Sequence, residues 1–316
     1  MSTDVTGAPR QTTTGESIRA VPLRRPGRLV SAVVLIVLLA LFVYGAATNS
    51  AYDWSTFGRY LLDQRLARAT LITLELTGIS MALAIALGIV LAVMRMSANR
   101  VLRSVAWLYL WIFRGTPVYV QLVFWGLITT LYRHVDLGVP FLVQFVHLDT
   151  GSWLTPFAAA VIGLGLNEAA YMAEIVRAGI RSVDEGQSEA AAALAMTWGQ
   201  TTRRVVLPQA MRVIIPPTGN EVISMLKTTS LVVAVPYTVD LYSVSRQIGG
   251  VLYRPIPLLL AASAWYLAIT SVLMVGQYFL EKRYSRGASR VLSGRQLQAL
   301  AHAQQAETTR QIEGAP

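Results

Sequence analysis

The chain reads as an all-α integral membrane protein of six transmembrane helices with both termini in the cytoplasm. Three observations predict this. Apolar residues make up 54% of the sequence and charged residues only 14%, against about 25% charge in an ordinary soluble domain. Mean hydropathy is positive, at +0.49. The apolar residues fall in bilayer-length runs, and the basic residues gather between alternate runs.

A spanning helix needs about 20 mostly apolar residues. Segments 29–48, 71–94, 105–132, 153–180, 214–235 and 256–280 meet that requirement. The third and fourth run long, which predicts tilt or projection beyond the bilayer. Arg24, Arg25 and Arg28 precede the first span, and Arg95, Arg100 and Arg103 follow the second. Arg181, Arg203, Arg204 and Arg212 follow the fourth, and Lys282, Arg283, Arg286 and Arg290 the sixth. Six alternating spans put all these groups on one side, which the positive-inside rule assigns to the cytoplasm.

Residues 1–28 then form a cytoplasmic tail, 29–48 the first helix, and 282–316 a second cytoplasmic tail with a helix expected over 297–307. The first run, with its basic flank and Ala46-Ala47, also fits a secretory signal. Its length exceeds the about 7–15 apolar residues of a signal core, and its polar leader is long, so an uncleaved anchor is favoured.

Several chemistries are excluded. The chain has no cysteine, and His134, His147 and His302 lack ligand-like spacing, so no metal site is expected. The +10 net charge lies in tails and short loops rather than in a compact basic domain, which argues against nucleic acid. No G-x-x-x-x-G-K-[ST] occurs; the two lysines, Lys227 and Lys282, do not follow glycine. The chain therefore lacks the usual cradle for a nucleoside triphosphate. With no nucleophile–base constellation either, no catalytic residue and no enzyme activity are expected.

The polar segment 182–208 carries two capping-box patterns, Ser182-Val183-Asp184-Glu185 and Thr197-Trp198-Gly199-Gln200. They predict an alanine-rich helix over 186–196 and a second over 198–206. Pro208 predicts a break before the fifth span. Glu189-Ala190-Ala191, Ala195 and Val205-x-Leu207-Pro208 lie inside this segment.

That spacing resembles the cytoplasmic loop of ATP-binding-cassette importer permeases: E-A-A, three residues, G, nine residues, I-x-L-P. Ala195 stands at the glycine and Val205 at the isoleucine. Glycine permits a sharper bend, so Ala195 predicts a more continuous helix. Arg114-Gly115-Thr116-Pro117 and Lys227-Thr228-Thr229-Ser230-Leu231 resemble the family's R-G-T-P and K-x-T-S-L. The resemblance spans about 70–280, and within 167–231 it is similar to the polar amino acid branch, which carries histidine, glutamine, glutamate, arginine or opines.

The resemblance implies a five-helix type I core at 66–281, to which the helix at 29–48 is an addition. It implies a bacterial cytoplasmic membrane, a second permease copy in a homodimer or heterodimer, and an external solute-binding protein. ATP and magnesium belong to separate ATPase subunits, leaving this chain without a cofactor. Those subunits receive the loop at 182–208 through Gly186, Glu189, Ala190, Ala191, Ala195, Leu207 and Pro208. Two amphipathic helices lying on the membrane without a partner are the plainer alternative.

A charge at the bilayer centre costs about 2.5–3.5 kcal/mol or more, so each one needs an account. Arg114 serves either as a clamp on neighbouring carbonyls or in a substrate pathway. Glu174 and Arg177, three apart with the acid first, are expected to pair. Glu168 has no basic residue three or four positions away. It either faces a cavity, where it would bind a substrate's cationic group, or sits hydrogen-bonded at a helix contact. Pro216, Pro217 and Gly219 weaken the fifth span beside Asn220 and Glu221. Lys227 and Gln121 complete the pathway candidates. The competing function is an ion-coupled secondary transporter with Glu168 as coupling carboxylate, which leaves the loop at 189–208 unexplained.

Overall fold

The computed structural model describes residues 26–139 and 143–284; the helix expected over 297–307 lies outside the described residues. The chain divides into two units, 1–52 and 53–316. In the first, helix α1 (Pro26–Thr48) is followed by a 3-10 turn at Ser50–Tyr52. Its apolar stretch Val30–Thr48 is long enough to cross a bilayer.

The second unit opens with the short amphipathic helix α2 (Trp54–Leu61), capped by Asp53. Helix α3 (Gln64–Met96) follows, then α4 (Arg100–Gly115) and α5 (Val118–Leu131). The third expected span is therefore two helices. Thr116 is extended (φ −114°, ψ 144°), as the residue before a proline prefers, and Pro117 begins α5 anew.

A β-hairpin comes next, a two-stranded insertion in an otherwise helical chain. Strands β1 (His134–Val139) and β2 (Val143–Asp149) pair antiparallel, with His134 opposite Asp149 and an irregularity after Leu137. The Thr150 hydroxyl ties off its base by donating to the carbonyls of Tyr132 and Arg133. The short turn α6 (Thr150–Trp153) leads into α7 (Pro156–Arg181).

Beyond α7 lie α8 (Glu185–Ala193), α9 (Trp198–Thr201), a π-helical turn at Thr202–Val206 and α10 (Leu207–Thr228). A 3-10 segment (Thr229–Ala234), α11 (Leu241–Val251) and α12 (Pro255–Tyr284) complete the unit. Among the described residues, α3, α7 and α12 join α1 as helices long and apolar enough to span a membrane. Helix α10 is diluted by Arg212, Pro216, Pro217, Asn220 and Glu221.

Helices α3 and α7 form the centre. Ala84, Gly88 and Ala92 recur every four residues on α3, and Gly88 lies directly against Ala169, Met172 and Ala173 of α7. A Cβ added at Gly88 would sit 2.6 Å from the Met172 Cβ, so only glycine permits this approach. Close backbone packing of this kind replaces the hydrophobic drive that lipid removes. Leu76, Met81, Leu122, Leu164 and Met225 fill the core between α3, α5, α7 and α10.

The two prolines do not break α10. The Pro216 carbonyl accepts from Gln277 Nε2 of α12 at 2.7 Å, and Gly219 leaves room for that side chain.

Candidate functional site

The break between α4 and α5 frees backbone carbonyls that need donors where water is scarce. Gln121 Nε2 lies 3.0 Å from the Phe113 carbonyl, 3.1 Å from the Thr116 carbonyl and 2.8 Å from Thr116 Oγ1. Asn167 Nδ2 of α7 donates to the Phe113 carbonyl at 2.9 Å and to Gln121 Oε1 at 3.1 Å. Gln121 is thus committed to the break, and the cluster fixes where α5 begins.

Beside it lies a cavity of about 310 Å³, lined by Val118, Asn167, Glu168, Tyr171, Glu221 and Thr228 among others. Its α7 wall follows one helical face: Leu164, Asn167, Glu168, Tyr171. Its α10 wall repeats that spacing with Glu221, Ser224, Met225 and Thr228. Glu168 is only 8% exposed, and its Oε1 has no hydrogen-bond partner among the described residues. Glu221 faces it from α10. Two carboxylates meeting in a buried pocket are costly unless something positive joins them. The arrangement suits a cation with several polar groups around it.

In the sequence Glu221 stands out only as part of a polar cluster. The matching four-residue pattern on both helices is the signal that pairs it with Glu168.

The four pathway candidates do not converge. Glu168 lines the cavity and Gln121 stands behind it as a clamp. Arg114, on the last turn of α4, places its guanidinium carbon 5.5 Å from the centroid of the Tyr171 ring. It lines a separate groove of about 440 Å³ with Arg95, Trp107, Trp111 and Glu174. Glu174 is engaged by Arg177 at 2.5 and 2.9 Å, the expected helical pair. Lys227 faces a third cavity, of about 280 Å³, with Ser230, Tyr242 and Tyr266.

The loop at 182–208 departs from its expected form in three ways. Ser182 does not N-cap a helix; its hydroxyl donates back to the Gly179 carbonyl, and Asp184 caps α8 by accepting from the Gly186 amide. Because α7 continues through Arg181, Ser182 is taken up as its C-cap and Asp184, two residues on and an equally good N-cap residue, starts α8. Second, α8 ends at Ala193, and Ala195 adopts φ 54° rather than extending the helix. The Met196 amide bonds to the Ala191 carbonyl and the Ala195 amide to the Ala192 carbonyl, a Schellman ending with alanine at the glycine position. Third, Pro208 causes no break, because it enters at the first turn of α10 and the π turn before it absorbs the missing donor. The Thr197–Gln200 capping box forms as expected.

On this loop Gly186, Glu189, Ala190, Ala195, Leu207 and Pro208 are exposed, whereas Ala191 is buried. Leu194 and Trp198 are also bare, at 77% and 82%. Gln209 donates to Gln187 at 3.2 Å, fastening α8 to the start of α10.

Residues 84–286 match the model of the family described as binding-protein-dependent transport system inner membrane component. The chain is 59% identical over 288 residues to the arginine transport system permease protein ArgU of Corynebacterium glutamicum, covering 91% of this chain and 89% of that one. It is 37% identical to the histidine/lysine/arginine/ornithine transport system permease protein HisM of Escherichia coli, covering 67% and 86%. Among solved structures it resembles a chain from a crystal structure of an amino acid ABC transporter with histidines. There the TM-score is 0.58 and the identity 32%, over 69% of this chain and 94% of that one.

Proposed function

This chain belongs to the binding-protein-dependent transport system inner membrane components and is a multi-pass permease subunit of an amino-acid ABC importer; from that premise we propose that its cargo is a cationic amino acid. The observation that carries this reading is the Glu168–Glu221 pair in the α7–α10 cavity. A guanidinium or ammonium side chain neutralises the two acids, and Asn167, Ser224 and Thr228 supply further polar contacts. The similarity to permeases named for arginine and for histidine, lysine, arginine and ornithine supports the same substrate class.

The remainder of the reading follows from charge and family. Read as six spans, with α4 and α5 together as one and α10 as the fifth, the chain has both termini and the 182–208 loop in the bacterial cytoplasm, a reading supported by the positive-inside rule. There Gly186, Glu189, Ala190, Ala191, Ala195, Leu207 and Pro208 form the contact surface for a separate ATPase, which holds ATP and magnesium. The bare Leu194 and Trp198 side chains suit burial against such a partner. A second permease copy and an external solute-binding protein complete the assembly. Substrate released from the binding protein enters the cavity, and closure of the ATPase dimer, transmitted through α8 and α9, turns the cavity from outside to inside. An ion-coupled carrier would leave this loop without a role.

The test is uptake of labelled L-arginine against competing neutral L-glutamine by the reconstituted transporter. Glu168→Gln and Glu221→Gln are each expected to reduce the preference for the cation about tenfold or more, the loss of a charge-assisted contact. A preference unchanged in both variants removes the acids from substrate recognition.

A further inference from the structure

Helix α7 carries Glu168, Tyr171 and Glu174 three residues apart, so they descend one side of the helix toward Arg181 in steps of about 4.5 Å. Each offers a negative surface: a carboxylate, the face of an aromatic ring, then a second carboxylate. Tyr171 is the only one of the three that lines both the Glu168–Glu221 cavity and the groove beyond it. The Arg114 guanidinium already lies over this ring, 5.5 Å from its centroid. Arg114 is held there by the ending of α4 at Thr116-Pro117, which Gln121 and Asn167 fasten in place.

We propose that Arg114 and Tyr171 form a cation–π latch on the inner side of the substrate cavity, and that the departing substrate's cationic side chain takes Arg114's place on the ring. The inference rests on the reading of the cavity as a site for a cationic amino acid. A guanidinium and an ammonium both bind an aromatic face, so the exchange keeps a cation on the ring while the displaced Arg114 turns to the Glu174 carboxylate in the same groove, and neither charge is left bare at membrane depth. A neutral amino acid has no group to trade for Arg114. The latch therefore reads charge a second time, after the carboxylate pair. Beyond the ring, Glu174 with Arg177, and Arg95 with the groove's tryptophans, line the way onward.

The experiment uses the complete transporter, with its ATPase and binding protein, in proteoliposomes preloaded with labelled L-lysine. The quantity read is leak in the absence of ATP. Tyr171→Leu removes the ring and Arg114→Gln the cation, and each is expected to raise the leak about tenfold. Tyr171→Phe and Arg114→Lys keep the ring and the charge, and stay as tight as the parent. If Tyr171→Leu and Arg114→Gln both remain tight, or if the Phe variant leaks as much as the Leu variant, the latch is wrong. Should the Leu variant fail to assemble, the comparison of Arg114→Gln with Arg114→Lys decides alone. The cavity reading fails separately: Glu168→Gln would then leave the preference for L-lysine over L-glutamine unchanged. Loss of that preference in Glu168→Gln, with tight Tyr171 and Arg114 variants, overturns the latch and leaves the cavity reading standing.

Discussion

Asn167 on α7 donates to the Gln121 side chain on α5 at 3.1 Å, and both amides reach the same Phe113 carbonyl on α4. Three helices are joined at the one point where the backbone of the 105–132 segment leaves helical geometry. The cavity owes its position to this junction, since Val118 and Asn167 both line it.

Removing either amide takes donors from the part-buried oxygens of this junction, a loss of about 1 kcal/mol. Gln121→Leu and Asn167→Leu are each expected to lower the thermal unfolding midpoint of the detergent-purified protein. Because the two residues share partners, the double variant should lose less than the sum of the single losses. Strict additivity would show that they act independently.

Ala195 pays a conformational penalty for its left-handed backbone at φ 54°, a region that disfavours side chains bearing Cβ by about 1–2 kcal/mol. Ala195→Gly relieves it and is expected to firm the end of α8. The readout is hydrogen exchange at the Met196 amide, which closes the turn onto the Ala191 carbonyl. Protection should rise about fivefold, the equivalent of about 1 kcal/mol. Unchanged or weaker protection would mean that the strain is relieved elsewhere.

Asp53 holds α2 from outside the spans. Its carboxylate accepts from the Thr56 amide and from the hydroxyls of Ser55 and Thr56, and it pairs with Arg254. The Thr56, Ser55 and Arg254 contacts, in that order, hold its carboxyl well below the usual carboxylate range. A lowered folded-state pKa means that the native form binds the proton less readily than the unfolded one. The stabilisation is present above the unfolded value, near about 4, and fades as pH falls from there through the folded value. Proteolysis of the 53–62 segment is expected to stay constant between pH 7 and 5 in the parent, as about one unit above the unfolded pKa still leaves the group ionised. It should then quicken at lower pH. In Asp53→Asn that acid-dependent step should vanish; its persistence would assign the sensitivity to another group.

Much of this architecture was legible in local chemistry. Thr197 and Gln200 satisfy each other's backbone neighbours within four residues, so their capping box forms wherever the loop is placed. Glu174 and Arg177 meet by helical geometry alone. Pro117 restricts Thr116 directly, which made the disturbance at 114–117 readable. The loop's helix start was less so, because Ser182 and Asp184 are both good caps and only the continuation of α7 through Arg181 decides between them. The hairpin at 134–149 escaped because its pairing joins residues up to fifteen positions apart (His134 with Asp149), and mean hydropathy over a stretch says nothing of which residues pair within it.

Hydropathy and basic flanks, acting residue by residue, were enough to make this chain a multi-pass membrane protein, and the spacing from Glu189 to Pro208 was enough to identify its family. Which polar side chains meet was settled only by packing. Glu168 and Glu221 belong to different helices, and nothing local distinguishes their pairing from a separate role for each. Gly88 lets α3 approach α7, and Gln121 with Asn167 pins α5. Those tertiary contacts close a cavity around the two carboxylates while sending Arg114 to Tyr171 and Lys227 to another face. A lone carboxylate's chemistry is set by its neighbours' charges at a few ångströms, and that distance exists only in the folded chain.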